Sequence, residues 1–385
     1  MAIGRPTVYD VAERAGVSIA TVSFAFRRPD KVRSETRDAV LQVARELGYV
    51  PSGSARNLAR GRTGVLGLHL FDLLVESATP VAVDSAHPVD AQPGRLTDLA
   101  ELDVGDGLLA WDAAEDARRS EPRTFPLYVD EIQRGFVLEC KRNGTAVLLS
   151  TGGLGVSEIA DTAGQVDGLA ILPGATVDAS LGSVASTLPV VVLSSQIGDA
   201  HHVLADNAGG ERMLVDHFVH EHGVRSFGWI DAPAGFDTDE RRSAFLDAVA
   251  AHPGARAEVI DTVDLERAPR FPGLTARIRD GRLPDAVLCA TDQLALATLD
   301  VLHAHDVSVP QEVRLAGFDG IQAVRTSSPT VTTVRQPMEL MGRLAAHLLL
   351  TDPGDGSVGR RSVRVEVGLR LGRSCGCDPE AALSP

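Results

Sequence analysis

Apolar positions fall into two regimes along the chain. Over the first fifty residues they recur at helical spacing. Val8, Val11, Ala12 and Ala15 share one face, and Val40, Val43, Ala44 and Leu47 share another. From Val65 onward they gather into short continuous runs separated by helical patterns. The runs read VLGLHLF, AVLLS, DGLAILP, PVVVL, SFGWID, AVLCATD and RLAGFD. Strands that are apolar on both faces and alternate with helices predict an α/β body with parallel sheets.

The first regime predicts three helices. Thr7 caps the first, with Asp10 in capping-box position. Gly16 ends that helix, and Ser18 caps the next. Val22 is the inward anchor of the second helix, which leaves Ile19, Ala20, Thr21, Ser23 and Phe24 partly outward near its N-terminal end. In a helix-turn-helix that end meets base edges in the major groove. The third helix runs from about Ser34 to Leu47. A plain three-helix bundle has the same periodicity, but the following segment argues for contact with DNA. Pro51 breaks the chain, and Ser54 to Arg60 spans two helical turns with Arg56, Arg60 and a solitary Leu58. So short a helix does not stand alone in water. It would order only against DNA and a second copy, with Leu58 as a wedge between base steps, whereas taken by itself the segment reads more plainly as a basic linker with one exposed Leu.

Charge sharpens this division. The 385-residue chain carries net charge -15. Residues 1–62 nonetheless hold 11 Arg/Lys against 6 Asp/Glu, a charge of +5, which leaves -20 on residues 63–385. A basic head suits a polyanion, and an acidic body keeps clear of it. No apolar run reaches the roughly 18–20 residues of a membrane span, and no apolar leader opens the chain, so no membrane or secretory role is expected. Cys140, Cys289, Cys375 and Cys377 are too scattered for a disulfide framework and suit a cytoplasmic protein. The terminal SCGC pair offers two thiols, too few for a tetrahedral zinc site, so neither metal nor cofactor is expected.

Three of the strand-like runs end at Asp231, Asp292 and Asp319. In doubly wound sheets the carboxyl ends of strands face the ligand crevice. Asp292 precedes a helical run and reads as its cap. Asp319, among glycines, reads as a cleft carboxylate that accepts from the hydroxyls or amines of a small polar ligand. A solute-binding protein would need a signal peptide and no basic head. A glycoside hydrolase could use these carboxylates, but no nucleophile motif such as G-x-S-x-G accompanies them. The basic head therefore reads as that of a DNA-binding protein and not an enzyme.

VYDVAERAGVSIATVS, VRSETRDAVLQVARELGYVPSGSARNLARGRTGVLGL and later segments resemble the LacI/GalR family of bacterial transcription regulators over nearly the whole chain. The resemblance implies a head at residues 1–50, a hinge helix and linker at 51–62, a two-lobed effector-binding and dimerisation body at 63–373, and a tail at 374–385. It implies an all-α helix-turn-helix head on a body of two doubly wound lobes like type I periplasmic binding proteins. Ile19 and Ala20 fall at base-reading positions, Thr21 and Ser23 at phosphate- or base-contacting ones, and Leu58 at the intercalating hinge leucine. Thr7, Ser18, Arg56 and Arg60 join them as DNA-contact candidates. Phe24 replaces a frequent Arg and Arg27 a frequent Asn, which alters the operator read there. In the body the resemblance assigns effector contact to Arg241, Thr291 and Asp319, and treats Asp206 and Asn207 as mainly structural. The first strand of relatives runs directly into a helix. Here about fifty residues, roughly 73–123 and including Trp111, intervene, and Phe125 replaces a ligand-contacting Asn. The implied partners are a palindromic double-stranded DNA operator, a small-molecule effector of the carbohydrate class and a second copy of the chain, since no leucine heptad follows the body to build a tetramer. A regulator that has lost small-molecule control through the insertion is the alternative reading.

Overall fold

The computed structural model describes residues 6–27, 31–47, 49, 62–70, 128–151, 156–173, 184–263, 270–354 and 356–378. The chain divides into two compact units, Met1–Gly64 and Val65–Pro385. Arg56, Leu58, Arg60, Phe125, Trp111 and the insertion at 73–123 lie outside the described residues.

The first unit holds α1 (Val8–Ala15), α2 (Ile19–Arg27) and α3 (Ser34–Leu47). Val11, Ala12, Val22, Ala25, Val40 and Ala44 form its core. Gly16 closes α1 in the left-handed conformation (φ 64°), its N–H reaching the carbonyls of Ala12 and Glu13. A small core of Ala and Val lets three short helices pack closely where none would persist alone.

The second unit contains two six-stranded sheets. The first is ordered β11-β5-β4-β3-β1-β2 and the second β12-β10-β9-β8-β6-β7. The strands are β1 (Val65–Leu70), β2 (Ala146–Thr151), β3 (Leu169–Leu172), β4 (Val190–Leu193), β5 (His201–Ala205), β6 (Ser226–Asp231), β7 (Arg256–Thr262), β8 (Ala286–Cys289), β9 (Arg314–Asp319), β10 (Thr332–Arg335), β11 (Ser362–Val365) and β12 (Gly368–Arg370). All pairings are parallel except β10 with β12. Every residue of β3, β4, β6 and β8 is buried, as continuous apolar runs covered by helices on both faces require.

The chain passes between the sheets three times. After β5 it enters helix Asn207–His222, which packs on β10 and β12 of the second sheet. After β10 it returns through helix Met338–Thr351, which packs on β3, β4, β5 and helix Val129–Arg142. It crosses last from β11 to β12. Ion pairs join the lobes at these crossings: Arg335 of β10 with Glu131, and Arg364 Nη2 of β11 with Glu240 at 3.0 Å.

Two details depart from the sequence reading. Asp292 is not the cap of helix Asp292–Ala304. Thr291 is, accepting from the Leu294 N–H at 3.2 Å, because its extended backbone places the hydroxyl over the first turn. The proposed tail boundary at 374 also cuts through packed structure. Ser374 and Cys375 are buried, Ser374 Oγ donates to Leu315 O at 2.6 Å, and the Thr332 N–H donates to Ser374 Oγ at 2.9 Å.

Candidate functional site

In the head, Thr7 and Asp10 make the full capping box. Asp10 N donates to Thr7 Oγ1 (3.4 Å) and Thr7 N donates to Asp10 Oδ2 (2.6 Å). Ser18 Oγ accepts from Thr21 N at 3.1 Å and lies 2.9 Å from Thr21 Oγ1, so Ser18 holds the first turn of α2. Val22 and Ala25 turn inward. Ile19, Ala20, Ser23 and Phe24, at i, i+1, i+4 and i+5, share the opposite face. Ile19 is 42% and Phe24 45% exposed, so Phe24 points outward and does not pack into the head. Arg27 ends the helix, and its side chain lies outside the described residues. Tyr9 on α1, 68% exposed, was not singled out in the sequence, since its position off the apolar stripe looks like ordinary surface.

In the body, Arg241 is buried at the junction of the lobes. Its Nε donates to Asn207 Oδ1 (2.9 Å), and Nη1 donates to Ala290 O (2.8 Å) and Asp319 Oδ1 (3.1 Å). Nη2 lies 3.6 Å from Asp237 Oδ2. The guanidinium rests 3.9 Å over the Phe318 ring, a cation–π contact strengthened by burial. Asp319 ends β9 with φ 117°, a conformation that a non-glycine residue holds only where its surroundings impose it. Here Arg241 and Gln336 Nε2 (2.6 Å) both donate to Asp319 Oδ1, and the Gln336 N–H donates to its carbonyl at 3.1 Å.

The network is acidic. Asp292, at the base of the same cluster, accepts from Thr333 Oγ1 (2.6 Å) and the Ile321 N–H (2.8 Å). Burial raises its pKa well above the usual carboxylate range, and the Asp319 charge adds to this. Burial also raises Asp319 and Asp237, with Arg241 opposing it in both. Glu211 is fully buried, and neither carboxylate oxygen has a hydrogen-bond partner among the described residues. Burial pushes its pKa up to about 8, which the nearby Arg241 only partly offsets. One guanidinium therefore serves three acids, Asp319, Asp237 and Glu211.

The structure brings Arg241 and Asp319 together. The Thr291 hydroxyl is engaged as a helix cap, and Phe125 lies outside the described residues. Asp231 stands apart, paired with Arg242 Nη1 at 2.9 Å. Asn207, read from sequence as structural, is the hub that joins Arg241 to Asp237 (2.9 Å) and Glu240 (2.7 Å) through its amide. Glu211 and Gln336 carried no sequence signal, because a Glu in a helix and a Gln before a Pro are usually solvated. Cys375 and Cys377, counted from sequence as two thiols, face His217 and His222 of helix Asn207–His222, so their donor set is larger than that count.

Residues 7–52 match the family described as bacterial regulatory proteins, lacI family. Residues 215–375 match the periplasmic binding protein-like domain. The transcriptional regulator CelR of Thermobifida fusca is 30% identical over 360 residues, 90% of this chain and 91% of its own. The transcriptional repressor PurR of Serratia proteamaculans is 27% identical over 350 residues, 89% of each chain. A solved CelR–cellobiose complex covers 96% of this chain and 100% of its own, with TM-score 0.59 at 26% identity. The lac repressor dimer bound to operator and the anti-inducer ONPF covers 97% of this chain and 99% of its own, with TM-score 0.68; at 19% identity it speaks for the fold alone.

Proposed function

The chain belongs to the lacI family of bacterial regulatory proteins, and from that premise we propose that it is a transcriptional repressor whose operator affinity is set by a small effector. Members of this family are transcription regulators and not enzymes. The finer reading places a homodimer on a palindromic operator in the cytoplasm, in contact with the nucleoid. α2 presents Ile19, Ala20, Ser23 and Phe24 to base edges, and Leu58 wedges the minor groove. The effector binds between the lobes, with Arg241 and Asp319 as its polar anchors. A carbohydrate is favoured because Arg and Asp side by side supply donors and acceptors for vicinal hydroxyls, and because a CelR relative is solved with cellobiose.

The observation that carries this reading is the buried Arg241–Asp319 pair at the lobe junction, in a chain whose head exposes an apolar recognition face. An effector that prefers one lobe arrangement biases the body, and by linkage the operator affinity. One observation favours the reading of lost small-molecule control: Arg241 is already engaged by Asn207, Ala290, Asp237 and Asp319, so an effector must displace chain partners. Selection of bound sequences from a random DNA pool tests the first half. The proposal expects a two-fold symmetric consensus, and an asymmetric or absent consensus would refute it.

A further inference from the structure

Helix Asn207–His222 ends with two imidazoles that point toward the C-terminal C-x-C. His217 Nε2 and His222 Nε2 are 3.2 Å apart. Cys377 Sγ lies 3.6 Å from His217 Nε2 and 3.4 Å from His222 Nε2. The four donor atoms, including Cys375 Sγ, all lie within 4.8 Å of one another. These are the separations of ligands around one ion. Bond lengths of about 2.0–2.1 Å to nitrogen and 2.3 Å to sulfur at tetrahedral angles put nitrogens about 3.4 Å apart, and nitrogen and sulfur about 3.6 Å apart.

We propose that His217, His222, Cys375 and Cys377 form a Cys2His2 site for a zinc-class divalent ion. The geometry is built from both sides. Gly223 closes the helix directly after His222 in the left-handed conformation (φ 64°), which fixes the imidazole of the last turn. On the other side, Arg373–Cys375 forms a 3-10 turn, and the Arg314 side chain donates to Cys375 O at 3.0 Å. Gly376 between the cysteines has φ 102°, so the chain reverses and delivers both sulfurs to one point. Cys375 is buried while Cys377 and the two imidazoles are half-buried, which leaves an entry path from solvent. Two thiols and two imidazoles suit zinc and exclude hard ions such as calcium or magnesium. Binding is not a redox step. Each thiol gives its proton to solvent as its sulfur joins the ion, and the imidazoles bind in their neutral form.

The site would staple the C-terminal turn to the helix whose other end carries Asn207, the partner of Arg241. Its role is structural, because four protein ligands close the tetrahedron and leave no position for substrate.

The test uses the full-length protein purified without chelator. Metal analysis should find one zinc per chain. After removal of zinc, cobalt should restore tetrahedral d–d bands and a thiolate-to-cobalt charge-transfer band. Cys377→Ser, at the half-exposed ligand, should drop bound zinc below one per chain and cut the charge-transfer band to that of one thiolate or less, while circular dichroism stays native. A second cluster, Asp216 and His220 of the same helix with His252, serves as the control: His220→Ala with His252→Ala should keep the zinc. Absence of zinc together with no cobalt bands in the wild type would overturn the proposal. So would a Cys375–Cys377 disulfide in freshly purified protein, or zinc retained by Cys377→Ser and lost by the His220/His252 variant.

Discussion

Arg241 Nη1 donates to Asp319 Oδ1 at 3.1 Å, joining the helix after β6 to the end of β9 at the mouth of the second lobe. Both side chains are buried, so their mutual attraction opposes a large desolvation cost. A ligand whose hydroxyls take over these bonds could exchange partners without leaving either charge bare.

Arg241→Met should therefore abolish any effector response. It also leaves Asp319 buried without its cation, which costs about 3–5 kcal/mol of stability. Urea unfolding measures the loss. A cost below about 1 kcal/mol would show that the pair contributes little, as a solvent-screened pair would.

Glu211 predicts a pH dependence. Its folded pKa of about 8 stands above the ordinary carboxylate value of 4.5, so the folded state holds a proton that the unfolded chain has released. Its stabilising contribution is complete below about pH 4.5 and is lost as pH rises through 8. Glu211→Gln should flatten that fall and raise stability at pH 8 relative to wild type. Parallel stability–pH curves for the two proteins between pH 5 and 8 would contradict this.

Ser18→Ala removes the hydroxyl that accepts from Thr21 N, and should cost the head about 1 kcal/mol. Ile19→Ala keeps the cap and should instead change which operators are bound. Melting of the head and binding to a panel of operator variants separate the two effects.

Leu58→Ala should weaken operator binding about tenfold or more and leave binding to random DNA within about twofold at one salt concentration, because only a specific complex uses a wedge. Equal losses on both DNAs would remove Leu58 from specificity.

The head was legible in sequence almost residue by residue. Its caps, Gly16 and its apolar faces are local signals, and α3 begins and ends at Ser34 and Leu47 as the periodicity predicts. The buried strands β3, β4, β6 and β8 were legible for the same reason. β5, β7, β10, β11 and β12 carry no such continuous apolar run. β5 begins with two histidines, β7 is exposed or half-buried over its first four residues, and β10 to β12 are short and rich in Thr and Arg. Their pairing is decided by distant strands that local pattern does not reveal. The cleft was half legible: Arg241 and Asp319 stood in recognisable segments, but the Asn207 hub, the Gln336 contact and the buried Glu211 depend on tertiary burial. The His217–His222–Cys375–Cys377 cluster joins positions over 150 residues apart, so spacing arithmetic on the cysteines alone missed it.

In the proposed mechanism a ligand in the cleft controls the DNA-binding head. The most direct measurement is operator affinity of the full-length protein at fixed salt, with and without each sugar that raises its thermal stability. At least one such sugar should shift operator affinity about 5–150-fold, and Arg241→Met should remove that shift. Operator affinity that stays constant with every stabilising sugar would contradict this mechanism.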